Sequence, residues 1–78
     1  MNEIEILNTE IQGQKIKDMT AIGFLHWVSA RINGANAFSS TTNELKTLLT
    51  NPPMSRKMPD AQKIEIIKKM VNMGIEIK

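Results

Sequence analysis

The tripeptide Ile-Glu-Ile occurs near both ends of this 78-residue chain, at residues 4–6 and again at residues 75–77. β-Branched residues that alternate with a charge form one apolar face and one solvated face, which is the two-residue period of a half-buried strand. A short strand is not stable alone, so we expect the two ends to pair with each other, or with the ends of a second chain in a homodimer. The pattern predicts terminal strands that close residues 1–78 into a single compact domain.

Three segments between these ends have the spacing of helices. Apolar residues recur on one face over residues 18–32, which predicts the first helix. A capping-box pattern that begins at Thr41 starts a shorter second helix, and this helix must end before Pro52. A third helix is predicted from Pro59, which suits the first helical position, to Gly74, which suits a C-terminal cap.

A short hairpin is predicted ahead of the first helix. The dipeptide Gln12-Gly13 separates two short runs of strand-like residues, and glycine supplies the positive φ that a tight turn needs. We therefore expect an α+β fold with three helices around one aliphatic core, short N- and C-terminal β-strands, and an N-terminal hairpin.

The residue types that carry catalysis or bind metals are sparse. The chain has no cysteine and only one histidine, His26, so neither a thiolate site nor a histidine cluster can form. Ser29 follows His26 by one helical turn, but no third catalytic group and no oxyanion turn accompany them. The glycines are isolated, which argues against a phosphate-binding loop. We predict a non-enzymatic protein without a cofactor or a metal site.

The chain also lacks the signals of membrane insertion and export. No apolar run approaches the roughly 20 residues that span a bilayer, and the acidic start at Glu3 and Glu5 does not suit a secretory signal. We expect a cytoplasmic protein without a membrane partner. The abundance of Ile, Lys and Asn favours a bacterial or phage source.

Trp27 supports two interpretations. It lies with Gly23 and Ala30 on the side of the first helix that faces away from the main apolar stripe. In one interpretation another element packs into this small-residue groove and buries the ring, because a small domain rarely leaves its only tryptophan exposed. In the other, Trp27 is the exposed anchor of a protein interface. The solvent accessibility of the ring distinguishes the two.

The third helix has an apolar face that covers about half its circumference, since Ile66, Met70 and Met73 widen the stripe formed by Ile64, Ile67 and Val71. So wide a face usually contacts two neighbours. One could be the other two helices, and the second could be the terminal strands or a second copy of the chain in a dimer. We expect a small protein-binding modulator, meaning an inhibitor, adaptor or regulator of a larger macromolecule. Its binding residues would be Trp27, Ile66, Met70 and Met73.

The alternative function is a nucleic-acid-binding transcriptional regulator, because residues 55–69 carry an excess of basic residues. The candidate phosphate contacts are Arg56, Lys57, Lys63, Lys68 and Lys69. The same charges could simply form a solvated face, since the net charge is only +2 and no aromatic residue is interleaved for base stacking.

Overall fold

The computed structural model describes residues 2–51 and 57–77, and these residues form a mostly helical α+β domain with one short hairpin. The elements are α1 (Glu3–Asn8), β1 (Glu10–Ile11), β2 (Gln14–Lys15), a first 3-10 turn (Ile16–Asp18), α2 (Ala21–Gly34), a second 3-10 turn (Phe38–Ser40), α3 (Asn43–Thr50) and α4 (Asp60–Asn72). The predicted α+β class is confirmed, and the three predicted helices correspond to α2, α3 and α4.

The predicted N-terminal strand is wrong, because residues 3–8 form the helix α1. The side-chain oxygen of Asn2 accepts a hydrogen bond from the Glu5 amide at 2.8 Å, which caps the helix start, and acidic residues in the first turn complement the helix dipole. Ile4 and Ile6 would share one face of a strand, whereas two helical steps place them far apart around the axis. Accordingly Ile6 is 1% exposed and Ile4 is 73% exposed.

The predicted C-terminal strand is also wrong, since residues 75–77 have no strand partner among the described residues. Gly74 adopts φ +80° and ends α4, as predicted for this glycine. The Gly74 amide donates to the Val71 carbonyl at 2.9 Å and the Ile75 amide donates to the Met70 carbonyl at 3.0 Å, which is the Schellman arrangement. Ile75 and Ile77 are nevertheless buried, so the alternation correctly indicated their inward direction.

The predicted hairpin is confirmed. Its two strands are antiparallel, with Glu10 opposite Lys15 and Ile11 opposite Gln14. Between them Gln12 has φ 54° and Gly13 has φ 82°, so both residues of the turn adopt the positive φ that a tight two-residue hairpin turn requires.

Threonine caps set the starts of α2 and α3. Thr20 accepts a hydrogen bond from the Gly23 amide at 3.2 Å and starts α2 later than predicted. Thr42, rather than Thr41, caps α3 through the Leu45 amide at 3.3 Å. Thr41 is buried, and its hydroxyl donates to the Phe38 carbonyl at 2.7 Å.

One apolar core joins these elements, apart from the second 3-10 turn, which contributes no buried residue. Buried aliphatic and aromatic side chains come from α1, the hairpin, the first 3-10 turn, α2, α3, α4 and the C-terminal segment. Helix α1 packs against α4, and α2 packs against α3. The two ends of the chain therefore contribute to the core through a helix and a segment without regular secondary structure instead of through paired strands.

Candidate functional site

Trp27 belongs to the core. Its side chain is 8% exposed, and its ring stacks at 6.2 Å between centroids on the buried ring of Phe24. The guanidinium carbon of Arg31 lies 5.8 Å from the centroid of the same ring. The ring of Trp27 is therefore buried by packing within the chain, and it is not the exposed interface anchor of the second interpretation.

The apolar edge expected on α4 is largely covered. Ile66 and Met70 are buried, whereas Met73 keeps partial exposure. Ile66 borders a surface depression together with Leu45 and Leu48 of α3, and α1 also packs against α4. The wide face of α4 thus meets two neighbours within the chain, and one of them is the helix that the sequence pattern presented as a strand.

Lys63 is a structural residue, which corrects its assignment as a phosphate contact. Its side chain is 0% exposed. The ammonium donates to the carbonyls of Ile16 at 2.8 Å and Met19 at 2.7 Å, with a longer contact of 3.4 Å to the Lys17 carbonyl. It also lies 5.9 Å from the centroid of the Phe24 ring. Lys63 therefore attaches α4 to the first 3-10 turn.

The surroundings of Lys63 change its acidity. Burial, which penalises the charged form, lowers the pKa of the Lys63 ammonium, and the nearby charge of Lys57 acts in the same direction. The carboxylates of Asp60 and Asp18 oppose this effect, but desolvation is the largest cause. A cation in such a position is bound to backbone oxygens and cannot reach a phosphate group.

The other members of the predicted basic set are distributed differently. Lys57 and Lys68 are exposed, and Lys69 is half-buried. Arg56 lies outside the described residues. A nucleic-acid surface built from this set would therefore have to do without Lys63.

Exposed apolar side chains provide a candidate that the sequence pattern concealed. Ile4 is 73% exposed and Val71 is 48% exposed, on two helices that pack against each other. Ile4 lines a surface depression with Glu3 and Lys68, and Val71 follows Lys68 by one helical turn. We call Ile4, Lys68 and Val71 the α1–α4 surface. The Asn2 cap followed by acidic residues was the signal that could have shown Ile4 to be on a helix.

The remaining candidate chemistry finds no support in the described residues. Within residues 2–51 and 57–77, no group of three His, Asp or Glu side chains is arranged to hold a metal ion. His26 is exposed, and the Ser29 hydroxyl accepts a hydrogen bond from the Asn33 side-chain amide at 3.5 Å. A nucleophile and base pair is not assembled there.

Comparisons of the chain with protein-family models, with curated proteins and with solved structures found no match. In the part of the chain that the structure describes, no helix has both the length and the apolar character needed to cross a bilayer.

Proposed function

We propose that this protein is a small non-enzymatic modulator that binds another protein through the α1–α4 surface. The observation that carries the proposal is Ile4, a large apolar side chain that is 73% exposed on a capped helix. Single exposed apolar residues are common on protein surfaces. Here, however, Val71 is also exposed on the helix against which α1 packs, and Lys68, one helical turn before Val71, lines the same depression as Ile4.

The chemistry of this surface indicates the chemistry of its partner. Protein interfaces combine an apolar centre with a polar rim. Ile4 and Val71 provide apolar centre residues, and Lys68 and Glu3 provide charges beside them. We expect the partner to insert an apolar side chain between the two helices and to place an acidic residue against Lys68.

The area that a stable interface covers is large enough to include both α1 and α4. A typical specific complex covers about 800 Å² on each partner. The described surface of this protein totals 5005 Å², so such a partner would cover about a sixth of it. A footprint of that size centred on Ile4 would extend over α1 and onto the exposed face of α4.

The test is a comparison of matched surface variants. The double variant Ile4→Ser, Val71→Ser removes the apolar centre, and Ile22→Ser is the control because Ile22 is an exposed isoleucine on α2, outside this surface. A partner captured by the wild type and by Ile22→Ser should be lost by the double variant, while the thermal midpoints of all three proteins stay similar. Equal capture by the double variant would remove the proposal.

Two further measurements separate the alternatives. A dimer mass in light scattering that becomes a monomer mass in the double variant would assign the surface to a homodimer. Charge reversal with Lys68→Glu and Lys69→Glu tests the nucleic-acid alternative, for which Lys57 and Lys68 remain exposed. DNA binding that weakens steeply with salt and disappears in the charge-reversed variant would favour that alternative over protein binding.

A further inference from the structure

The charges at the α1–α4 surface have opposite signs on its two helices. On α1, the exposed Ile4 lies between Glu3 and Glu5 in the sequence, and both glutamates are exposed. On α4, the exposed Val71 lies one helical turn after Lys68, which is also exposed. Because α1 packs against α4, an isoleucine between two acids and a valine beside a base are presented on neighbouring helices.

This chemistry matches the partner that the surface calls for. Such a partner has to offer an apolar side chain to the two helices and an acidic group to Lys68. Helix α1 itself offers both, because Ile4 and Glu3 are adjacent and line one depression with Lys68. A two-fold symmetric contact uses the same patch on both copies, so the patch has to be complementary to itself. The α1–α4 surface meets this condition in charge and in apolar character.

We propose that the partner of the α1–α4 surface is a second copy of the chain, bound in a two-fold symmetric dimer. Helix α1 of each copy lies on α4 of the other, so that Ile4 of one copy contacts Val71 of the other and Glu3 pairs with Lys68, each contact occurring twice. The inference rests on the proposed function, because it names a partner for the same surface. Any other protein competes with the second copy for these residues, so self-association regulates access to the surface.

The dimer is expected to be weak, because α1 has only six residues. Contacts that bury less than about 1,200 Å² in total are typical of transient complexes. We therefore expect a dissociation constant on the order of tens of micromolar. Sedimentation velocity of the purified chain, between about 5 and about 500 µM, covers both sides of this value.

Reversal of one charge tests the pairing. In Glu3→Lys alone or in Lys68→Glu alone, two repulsive pairs replace two attractive ones, so the dissociation constant should rise about tenfold at low ionic strength. A mixture of the two variants should regain the affinity of the wild type, because both pairs of a mixed dimer are attractive. Glu65→Lys is the matched control, since Glu65 is an exposed acid on α4 that borders the depression facing α3. It should leave the dissociation constant unchanged.

A second variant covers the outcome in which a charge-reversed chain does not fold. The double variant Ile4→Ser, Val71→Ser removes the apolar contacts and changes only exposed side chains, so its thermal midpoint should stay close to that of the wild type. Its dissociation constant should rise by about a hundredfold or more, because each apolar residue is lost from both copies. Ile22→Ser, a change of an exposed isoleucine on α2, should have no effect on the dimer.

Three results would overturn the proposal. They are a monomer mass throughout the concentration range, a dimer that persists in the double serine variant, and a mixture of Glu3→Lys and Lys68→Glu that associates no better than either variant alone. The capture experiment is independent of these results, because sedimentation involves no other protein. A chain that captures a partner but stays monomeric would reject the dimer and support the proposed function, and a dimer that captures no partner would do the reverse.

Discussion

Replacing Lys63 by methionine tests whether the buried ammonium stabilises the fold. The substitution keeps an unbranched side chain of similar length and removes the donor to the Ile16 and Met19 carbonyls, at 2.8 Å and 2.7 Å. The Ile16 carbonyl retains the Met19 amide as a donor at 3.2 Å, whereas no other donor to the Met19 carbonyl is found among the described residues. The substitution therefore leaves the Met19 carbonyl without a hydrogen bond, and the Ile16 carbonyl keeps only its bond from the Met19 amide.

The magnitude follows from these bonds. A hydrogen bond to a charged group contributes about 1.5–3 kcal/mol, and a buried acceptor left unpaired costs about 1–3 kcal/mol. Removal of the desolvated charge offsets part of the loss, so we expect Lys63→Met to lower the free energy of unfolding by about 2–4 kcal/mol. A 78-residue domain has a total stability of only about 4–12 kcal/mol, so the effect would be large.

Urea unfolding followed by Trp27 fluorescence measures this loss, since the ring is buried in the same core. Lys68→Met is the matched control, because Lys68 is an exposed lysine on the same helix. The control should change the unfolding free energy by less than about 0.5 kcal/mol. If Lys63→Met is as stable as Lys68→Met, the three carbonyl contacts do not support the fold and the reasoning is refuted.

Three further predictions concern the same fold. Burial lowers the pKa of Lys63 in the folded protein below its usual 10.5, so between these two pKa values the folded protein binds fewer protons than the unfolded chain. The stability of the wild type relative to Lys63→Met should therefore rise as pH increases through that window. Urea unfolding at several pH values measures this. Asn2→Ala removes the cap of α1 and should cost about 1 kcal/mol, while Asn2→Asp should retain it; equal losses would contradict the capping role. Gly74→Ala forces a side chain into φ +80° and should cost about 1 kcal/mol in thermal or urea unfolding; a gain in stability would show that the cap does not need this conformation.

Helices α2, α3 and α4 and the hairpin were predictable because their signals are local. Gly74 ends α4 and Gln12-Gly13 turns the hairpin, each through a positive φ that few other residues adopt readily. Threonine caps start α2 and α3 within one to three residues of the predicted positions. These features depend on backbone conformations within a few residues, so the sequence pattern was sufficient.

The N-terminal segment shows where the pattern misled. Ile-Glu-Ile satisfies the two-residue period of a strand, but a single Asn2 cap and the acidic first turn favour a helix at the same position. At the other end the same tripeptide keeps its inward-facing isoleucines without a partner strand. The tripeptide alone does not decide between a helix and an irregular segment, because contacts with distant residues decide. Residues 4–6 lie on a helix that packs against α4, and residues 75–77 place Ile75 and Ile77 in the core.

The candidate sites were the least predictable part. Lys63 and Lys68 are equivalent basic residues in the sequence, yet one is buried against backbone carbonyls and the other is exposed. The burial of the Arg31 Nε, which has no hydrogen-bond partner among the described residues, likewise had no signal in the sequence. Burial of a charged group is decided by elements distant in sequence, and local patterns carry no information about it.

The attachment of Lys63 to the first 3-10 turn bridges 44 to 47 positions of sequence. The hairpin and α2 are synthesised before α4, and until α4 is added the Met19 carbonyl has no donor from Lys63. The amino-terminal half therefore lacks the hydrogen bonds from the Lys63 ammonium until α4 is present. A chain that ends before residue 63 would lack this attachment and the core residues of α4, so we expect it to be less stable and more readily cleaved by proteases than the full chain.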